Sequence, residues 1–452
     1  SAVLAPSAAT AHEEWIKEEK AGHRQTTPSV TPGSIPKAPC NKLHELLRPT
    51  IDSFNYMLDV GLDLAVRDIP AQEISFEHTG DTLTYWLENV EIGFPQKHDD
   101  SASSRLLPAE CRERGITYAG PLLATIGRRV GDGPVDTFQK KLGDVPIMVR
   151  SNRCHNATAT PRELVRRHED AAELGGYFVC NGIERCIRML QMPRRNHVMA
   201  VTRSAFTKRG SAFSDRACTI RCVKPDQSAV SVYLHYLNDG NAMVRFAVRK
   251  QEFFVPVVLM LKALKDTTDR EIYTKVLCGD HENTFISDRL ELILQDAKQF
   301  GVYSREEVLR YLGSRFRAVL DVPSSLPDSA AGAALLRRYL FVHLDSDLDK
   351  FELLLFMLRK LYMFVSGEVR EDNADALMNH DLLLPGHVYL AFLKEKLEEF
   401  LLGIKATIKR DLDADAARVD PTSGLYFRRK VDRQADIGRK VYYFLATGNL
   451  VS

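Results

Sequence analysis

No C-x-x-C pair occurs in this chain, although it holds eight cysteines. Two thiols at that spacing usually open a structural zinc site, so a zinc ribbon of that pattern is excluded. Cys218 and Cys222 come nearest, as C-x3-C in a strand-like segment with no second pair beside it. Cys278-Gly279-Asp280-His281-Glu282 carries ligand-type residues, but it follows a helical pattern and reads as a polar cap. The cysteines are expected to be free thiols in a reducing compartment, and no metal site is expected.

Net charge is almost absent as well. The 61 Lys and Arg residues against 60 Asp and Glu leave +1, so the chain is no polycation and any nucleic-acid surface must be local. No apolar run reaches the ~18 residues of a membrane span, so no membrane partner is expected. Ser1–Thr10 lacks the basic start and long apolar core of a signal peptide. There is no G-x-x-x-x-G-K-(S/T), no G-x-S-x-G and no H-E-x-x-H, which removes the P-loop, the hydrolase elbow and the zincin site. Asp99-Asp100 and Glu398-Glu399 read as solvated charges. No internal repeat is present.

What is present suffices for two or three domains in 452 residues. Residues 1–40 are rich in Ala, Ser, Thr and Pro without apolar periodicity and read as a mobile extension. Within Asn41–Arg67, Leu43, Leu47, Ile51, Phe54, Leu58, Leu62 and Ala65 recur at helical steps, with Pro49 as a first turn or kink. Asp81–Phe94 alternates as a half-buried strand, and Gly143–Arg150 reads as another. Thr160-Pro161-Arg162-Glu163 is a capping box, predicting a helix that runs to Leu174 and stops at Gly175-Gly176.

Tyr177–Cys180, Asn181-Gly182 and Ile183–Leu190 predict a β-hairpin with a type I′ turn, released into the basic loop Met192–Asn196. Ser228–Leu237 and Ala242–Val248 predict a second hairpin. Helices then dominate. Pro256–Lys265 is apolar, and capping boxes stand at Thr268-x-x-Glu271 and Ser304-x-x-Glu307. Pro323–Ala331 reads as a break and Asp349–Val365 as a helix. Leu384–Arg410 is a long helix with Tyr389, Phe392, Leu393, Leu397, Phe400, Leu401 and Ile404 on one face.

The stretch GGYFVCNGIERCIRMLQMPRRN (175–196) resembles the GGYF(I/V)-NG-E(K/R) segment of the second-largest subunits of multisubunit DNA-dependent RNA polymerases. GDVPIMVRS (143–151), RPTIDSFNYML (48–58), PAECRERGITYAG (108–120), LHYLNDGNAM (234–243), LPGHVYLAFLKEKLE (384–398) and FLATGNL (444–450) extend the resemblance over about nine tenths of the chain. The MPRRN ending is similar to the polymerase I branch.

The resemblance implies a mixed α/β (α+β) fold. A discontinuous protrusion-like domain, 41–196 and 378–440, would hold an inserted, largely helical lobe-like domain at 197–377, and 441–452 would open the fork. FLATGNLVS then reads as a truncation within a family motif. The active-site metals, Mg2+ held by the largest subunit, would lie outside this chain, so no catalytic residue and no bound cofactor are expected here and the isolated chain is expected to be inactive. Implied partners are the largest and other polymerase subunits, DNA, and, at the lobe, a TFIIF-like heterodimer and a zinc-ribbon subunit. Apolar residues around Asn238–Met243 or on helices at 270–315 would serve that docking. The implied location is the nucleus and nucleolus. The matching piece of polymerase III or II and a free-standing DNA-binding scaffold remain as alternatives.

A polymerase holds nucleic acid through phosphate contacts from Arg and Lys. The candidates are Arg194 and Arg195 after the hairpin, Lys208 and Arg209 before Gly210, and Arg428, Arg429 and Lys430 ahead of the fork. Arg216 and Arg221 flank a strand, and Arg433, Arg439 and Lys440 follow the last cluster. Arg166-Arg167-His168 reads as solvated. Tyr177, Phe178, Tyr233, Tyr236, Phe253 and Phe254 are expected in the core, and His235 and His387 as ordinary polar residues.

Overall fold

The computed structural model describes residues 41–76, 80–97, 105–248, 251–280, 282–320, 326–415, 420 and 423–449. The extension expected at 1–40 and the residues from 450 lie outside the described residues.

Helix α1 (Asn41–Tyr56) carries Pro49 in its interior. Its expected stripe sinks into the fold only toward the C-terminal end of the helix. Leu43 is 47% exposed, whereas Phe54 is fully buried. The helix then widens into a π turn, Met57–Gly61, before α2 (Leu62–Asp68). The wider turn lets another helix come close, for a Cβ on Gly61 would lie 2.7 Å from Leu390 Cδ2.

Strands β1 (Gln72–Ser75), β2 (Thr82–Ile92), β3 (Ala119–Val130) and β4 (Asp136–Pro146) form an antiparallel meander, with α3 (Pro108–Arg114) between β2 and β3. Leu83, Tyr85 and Leu87 point inward on β2. A bulge between Leu87 and Asn89 then shifts the phase so that Val90 and Ile92 stay inside. The strand expected at Gly143–Arg150 lies earlier, at Asp136–Pro146; Ile147–Val149 are buried beyond its end.

The capping box at Thr160 forms in both directions and opens α4 (Pro161–Arg166). This helix does not reach Leu174. His168 turns left-handed (φ 62), and Glu169 is drawn inward to Arg112 and to the Asn156 amide. Strands β5 (Phe178–Cys180) and β6 (Ile183–Arg185) meet through Asn181 (φ 49) and Gly182 (φ 79), the positive pair a type I′ turn requires. The return strand is shorter than expected. The chain leaves it, and β7 (Leu190–Pro193) pairs instead with β13 (His380–Leu383) as a two-stranded ribbon.

Five antiparallel strands follow: β8 (Met199–Thr202), β9 (Phe213–Val223), β10 (Ala229–Leu237), β11 (Ala242–Val248) and β12 (Gln251–Pro256), in the order β12-β11-β10-β9-β8. Helices α5 (Val257–Leu264), α6 (Asp269–Leu277), α7 (Thr284–Ala297), α8 (Arg305–Leu320), α9 (Asp328–Tyr339) and α10 (Asp347–Ser366) complete this part. The break expected at Pro323–Ala331 closes by Asp328, where α9 begins. One core gathers Cys218, Ile220, Cys222, Val232 and Leu234 of the sheet under Leu354, Leu358 and Leu361 of α10.

Helix α11 (Pro385–Asp415), α12 (Gly424–Asp432) and α13 (Ile437–Thr447) pack back on the first sheet. All seven residues of the α11 stripe are buried there. Tyr85 donates a hydrogen bond to the Leu401 carbonyl at 3.0 Å, and Tyr389 donates one to the Pro146 carbonyl at 2.9 Å. Phe54, Phe178 and Tyr389 meet with ring centroids 5.3 to 5.8 Å apart. Gly386 allows the helix start to touch α1: a Cβ there would lie 2.1 Å from the Ser53 carbonyl oxygen. Among the described residues two large hydrophobic cores form, one drawn from residues 54–180 and 388–445, the other from 198–364, beside a small third cluster of Met199, Val201, Phe206 and Ala217.

Candidate nucleic-acid interface

The candidate cations fall in three separate places. The first is the end of the β7–β13 ribbon. There the Arg194 N–H donates to the Asn379 carbonyl, while the Arg194 side chain stands exposed with no partner among the described residues. Arg195 is committed elsewhere. Its backbone N–H and Nε both donate to Asp381 Oδ2, at 2.7 and 3.1 Å. Burial opposes the Asp381 charge, but these bonds and the charges of Arg195 and Arg221 hold its carboxyl below the usual range.

The second place is the 3-10 turn Ser204–Arg209. Arg209 forms a bidentate pair with Glu252, at 2.9 and 3.0 Å, and lies over the Phe206 ring. Glu252 is held below its ordinary carboxylate range, first by the Arg209 hydrogen bond. Lys208 beside it is exposed and unpartnered among the described residues.

The third place is α12, capped by Ser423, whose side chain accepts from the Tyr426 N–H. Phe427, Lys430 and Val431 share the buried face by helical spacing, so Arg428 and Arg429 point outward. Lys430 is 6% exposed, and its ammonium is held by Asp411 and lies over Tyr426. Asp411 and Tyr426 thus bind Lys430 into the packing of α12, unlike its two neighbours. Arg428 lies 5.0 Å from the Phe138 ring centroid and 3.6 Å from Asp136. Arg429 has no partner among the described residues.

Neighbouring basic residues are mostly structural. Arg216 donates to the Val365 carbonyl at the end of α10. Arg167, expected to be solvated, instead donates to the His155 carbonyl and Asn156 Oδ1, because the chain folds back after α4. Lys440 pairs with Glu399. His235, expected as an ordinary polar residue, is fully buried with both ring nitrogens unpartnered. Sequence reasoning missed a cleft of about 530 Å³ lined by Lys97, Arg114, Asn181, Asp436, Arg439 and Tyr442, residues scattered along the chain that only the fold unites.

Among the described residues no group of three or more His, Cys, Asp or Glu is placed to hold a metal ion. Cys218 and Cys222 lie in the core, where burial pushes both thiols up to about 12. Asp68 and Asp226, two carboxylates that share a partner, already hold Lys394 and Lys224. The described residues therefore do not fit a catalytic magnesium. Among them, no helix is long and apolar enough to cross a membrane.

The sequence profile of the RNA polymerase beta subunit family matches residues 45–428. The chain belongs to that family. It is 42% identical over 425 residues to the probable DNA-directed RNA polymerase I subunit RPA2 of Schizosaccharomyces pombe, covering 91% of this chain and 36% of the relative. Identity to subunit RPA135 of Saccharomyces cerevisiae is 40% over 437 residues, again 91% and 36%. With the Mus musculus RPA2 it is 38% over 427 residues, 94% and 37%. The chain corresponds to the N-terminal region of the polymerase I second-largest subunit, and it spans little more than a third of the length of these curated relatives. This family membership accounts for the mixed α/β architecture, with antiparallel sheets and a largely helical segment.

Proposed function

We propose that this polymerase I module forms one wall of the DNA cleft of the assembled enzyme and presents docking surfaces to peripheral subunits and initiation factors. The carrying observation is the match of residues 45–428 to the polymerase beta subunit family. The exposed arginines of α12 give that reading a phosphate-binding chemistry.

In this reading residues 41–196 and 378–440 form the protrusion-like domain, 197–377 the lobe-like domain, and 441–452 open the fork. The two separate cores support that division. The largest subunit holds the Mg2+ ions and supplies the metal chemistry of nucleotidyl transfer. A TFIIF-like heterodimer and a zinc-ribbon subunit dock on the lobe, where Phe300 and Tyr303 are exposed within the 270–315 segment. The setting is ribosomal RNA synthesis in the nucleolus.

The phosphate contacts come from Arg194, Lys208, Arg428 and Arg429, the candidates whose charge is free or weakly held. The test is RNA synthesis by the purified chain with template and NTPs. No product is expected. A template-dependent product that is lost on mutation within the chain would overturn the reading.

A further inference from the structure

Arg221 lies on β9 between Ile220 and Cys222, which face the core. Successive strand residues point to opposite faces, so Arg221 is turned to the other side of the sheet. It is nevertheless 7% exposed, and among the described residues no hydrogen bond or ion pair holds its guanidinium, on which Asp381 acts only through its charge. A guanidinium does not shed its proton, and a buried charge without a partner is costly.

Arg195 bridges to Arg221 along the backbone, and the Asn196 N–H donates to the Arg221 carbonyl at 2.7 Å. Burial, then the Arg195 charge, press the Arg221 pKa down against the pull of Asp381. His387 stands in the same positive field. Its Nδ1 is buried without a partner, and burial and the Arg195 charge lower its pKa. Two guanidiniums, Arg195 and Arg221, thus share the field of one carboxylate, Asp381, which is already engaged by Arg195.

We propose that Arg221, with the charge of Arg195 beside it, forms an anion site at the junction of the β7–β13 ribbon and the five-stranded sheet, and that it takes a backbone phosphate of a polynucleotide. A strand suits the place better than a lone ion, because Arg194, the residue before Arg195, is exposed and unpartnered among the described residues. The site rests on the reading of the chain as a polymerase module that grips nucleic acid.

The test uses the whole 452-residue chain and the variants R221Q, R221K and R428Q/R429Q. Thermal melting is followed without ligand, with inorganic phosphate and with a short DNA duplex. Without ligand, R221Q should melt at or above the wild-type temperature, since an unpaired buried charge has gone. Phosphate and DNA should both raise the wild-type melting temperature and raise that of R221Q less. DNA affinity of R221Q should fall about tenfold, and its slope of log K against log[salt] should shrink by ~0.9; R221K should keep part of both.

A ligand-free R221Q that melts clearly below wild type would give Arg221 a structural partner and overturn the site. So would stabilisation by phosphate but not by DNA, which would assign the recess to a small anion or to a carboxylate of another polypeptide. If R428Q/R429Q weakens DNA binding and R221Q does not, the site fails and the broader reading stands. If the wild-type chain binds no DNA, both fail.

Discussion

Lys394 and Asp226 form a 2.5 Å ion pair with both side chains buried, 9% and 3% exposed. Lys394 also reaches Asp68 at 2.5 Å, and Lys224 reaches the same carboxylate at 2.6 Å. The cluster ties the end of α2, the β9–β10 turn and α11, and so joins the two cores. Burial works against the Lys394 charge, but bonds to Asp226 and Asp68 outweigh it and lift the ammonium above its usual range. Burial likewise works against Asp68, and the two lysines hold it below the usual range.

Lys394→Met should cost about 3–5 kcal/mol, because it strands Asp226 in the interior, whereas Lys394→Met with Asp226→Leu should recover most of that loss. Urea unfolding of the single and double variants checks this. Equal midpoints for wild type and Lys394→Met would defeat it. Asp68, with its lowered pKa, stabilises above about pH 4 and loses that contribution as the pH falls further. Lys394, with its raised pKa, stabilises below about pH 10.5 and loses that contribution above it. The cluster should therefore give a flat stability profile between those limits.

His235 should make the five-stranded sheet acid-sensitive. Its ring is fully buried, with Phe206 edge-on at 4.7 Å and both nitrogens unpartnered. Burial, then Arg245 and Arg209, lower its pKa to about 3, against a pull upward from Glu252. The unfolded chain binds a proton below about pH 6.5 that the folded chain refuses. Stability is then complete above that pH and falls toward pH 3 by up to about 1.4 kcal/mol per unit. His343 and His387 shift in the same direction. Unfolding free energies at several pH values should show His235→Leu with a shallower slope than wild type; parallel slopes would remove His235 as the cause.

The sequence was most legible where a local rule agreed with burial. The seven-residue stripe of α11, the Asn181-Gly182 turn and the box at Thr160 all form as their residues dictate. It was least legible where distant parts decide. Nothing near Leu190–Pro193 announces that it pairs with His380–Leu383. The early end of α4 follows from Arg112 drawing Glu169 inward, an ion pair between residues far apart in sequence. Among the basic residues, charge can be read from the residue type but commitment cannot. Arg209 and Lys430 look like their neighbours until Glu252 and Asp411 are seen to hold them.

Phe392→Ala should cost about 3–5 kcal/mol. The ring is 4% exposed and stacks on Phe444 with centroids 4.8 Å apart. Truncation would open a cavity between α11 and α13, and calorimetric melting would register it. An unchanged melting temperature would mean that α13 does not dock as described.

The α12 arginines and lysine should separate into two behaviours. Arg428 and Arg429 are exposed, and Arg428 has only a long approach to Asp136. Replacing both with Gln removes charge from a solvated face and should change stability by less than about 1 kcal/mol, since exposed pairs contribute that much at most. It should weaken DNA binding uniformly across sequences and flatten the salt slope by ~0.9 for each phosphate that is no longer neutralised. Lys430→Ala should do the reverse. Asp411 is kept below its usual range first by the Lys430 bond, so losing the lysine frees that carboxylate and opens the packing against Tyr426. Melting temperature should drop while the salt slope of DNA binding stays unchanged. Binding titrations at three salt concentrations, run beside melts of the same preparations, distinguish the two. If Arg428→Gln with Arg429→Gln leaves affinity and slope at wild-type values, α12 is a solvated surface and the grip on DNA lies with Arg194 and Lys208.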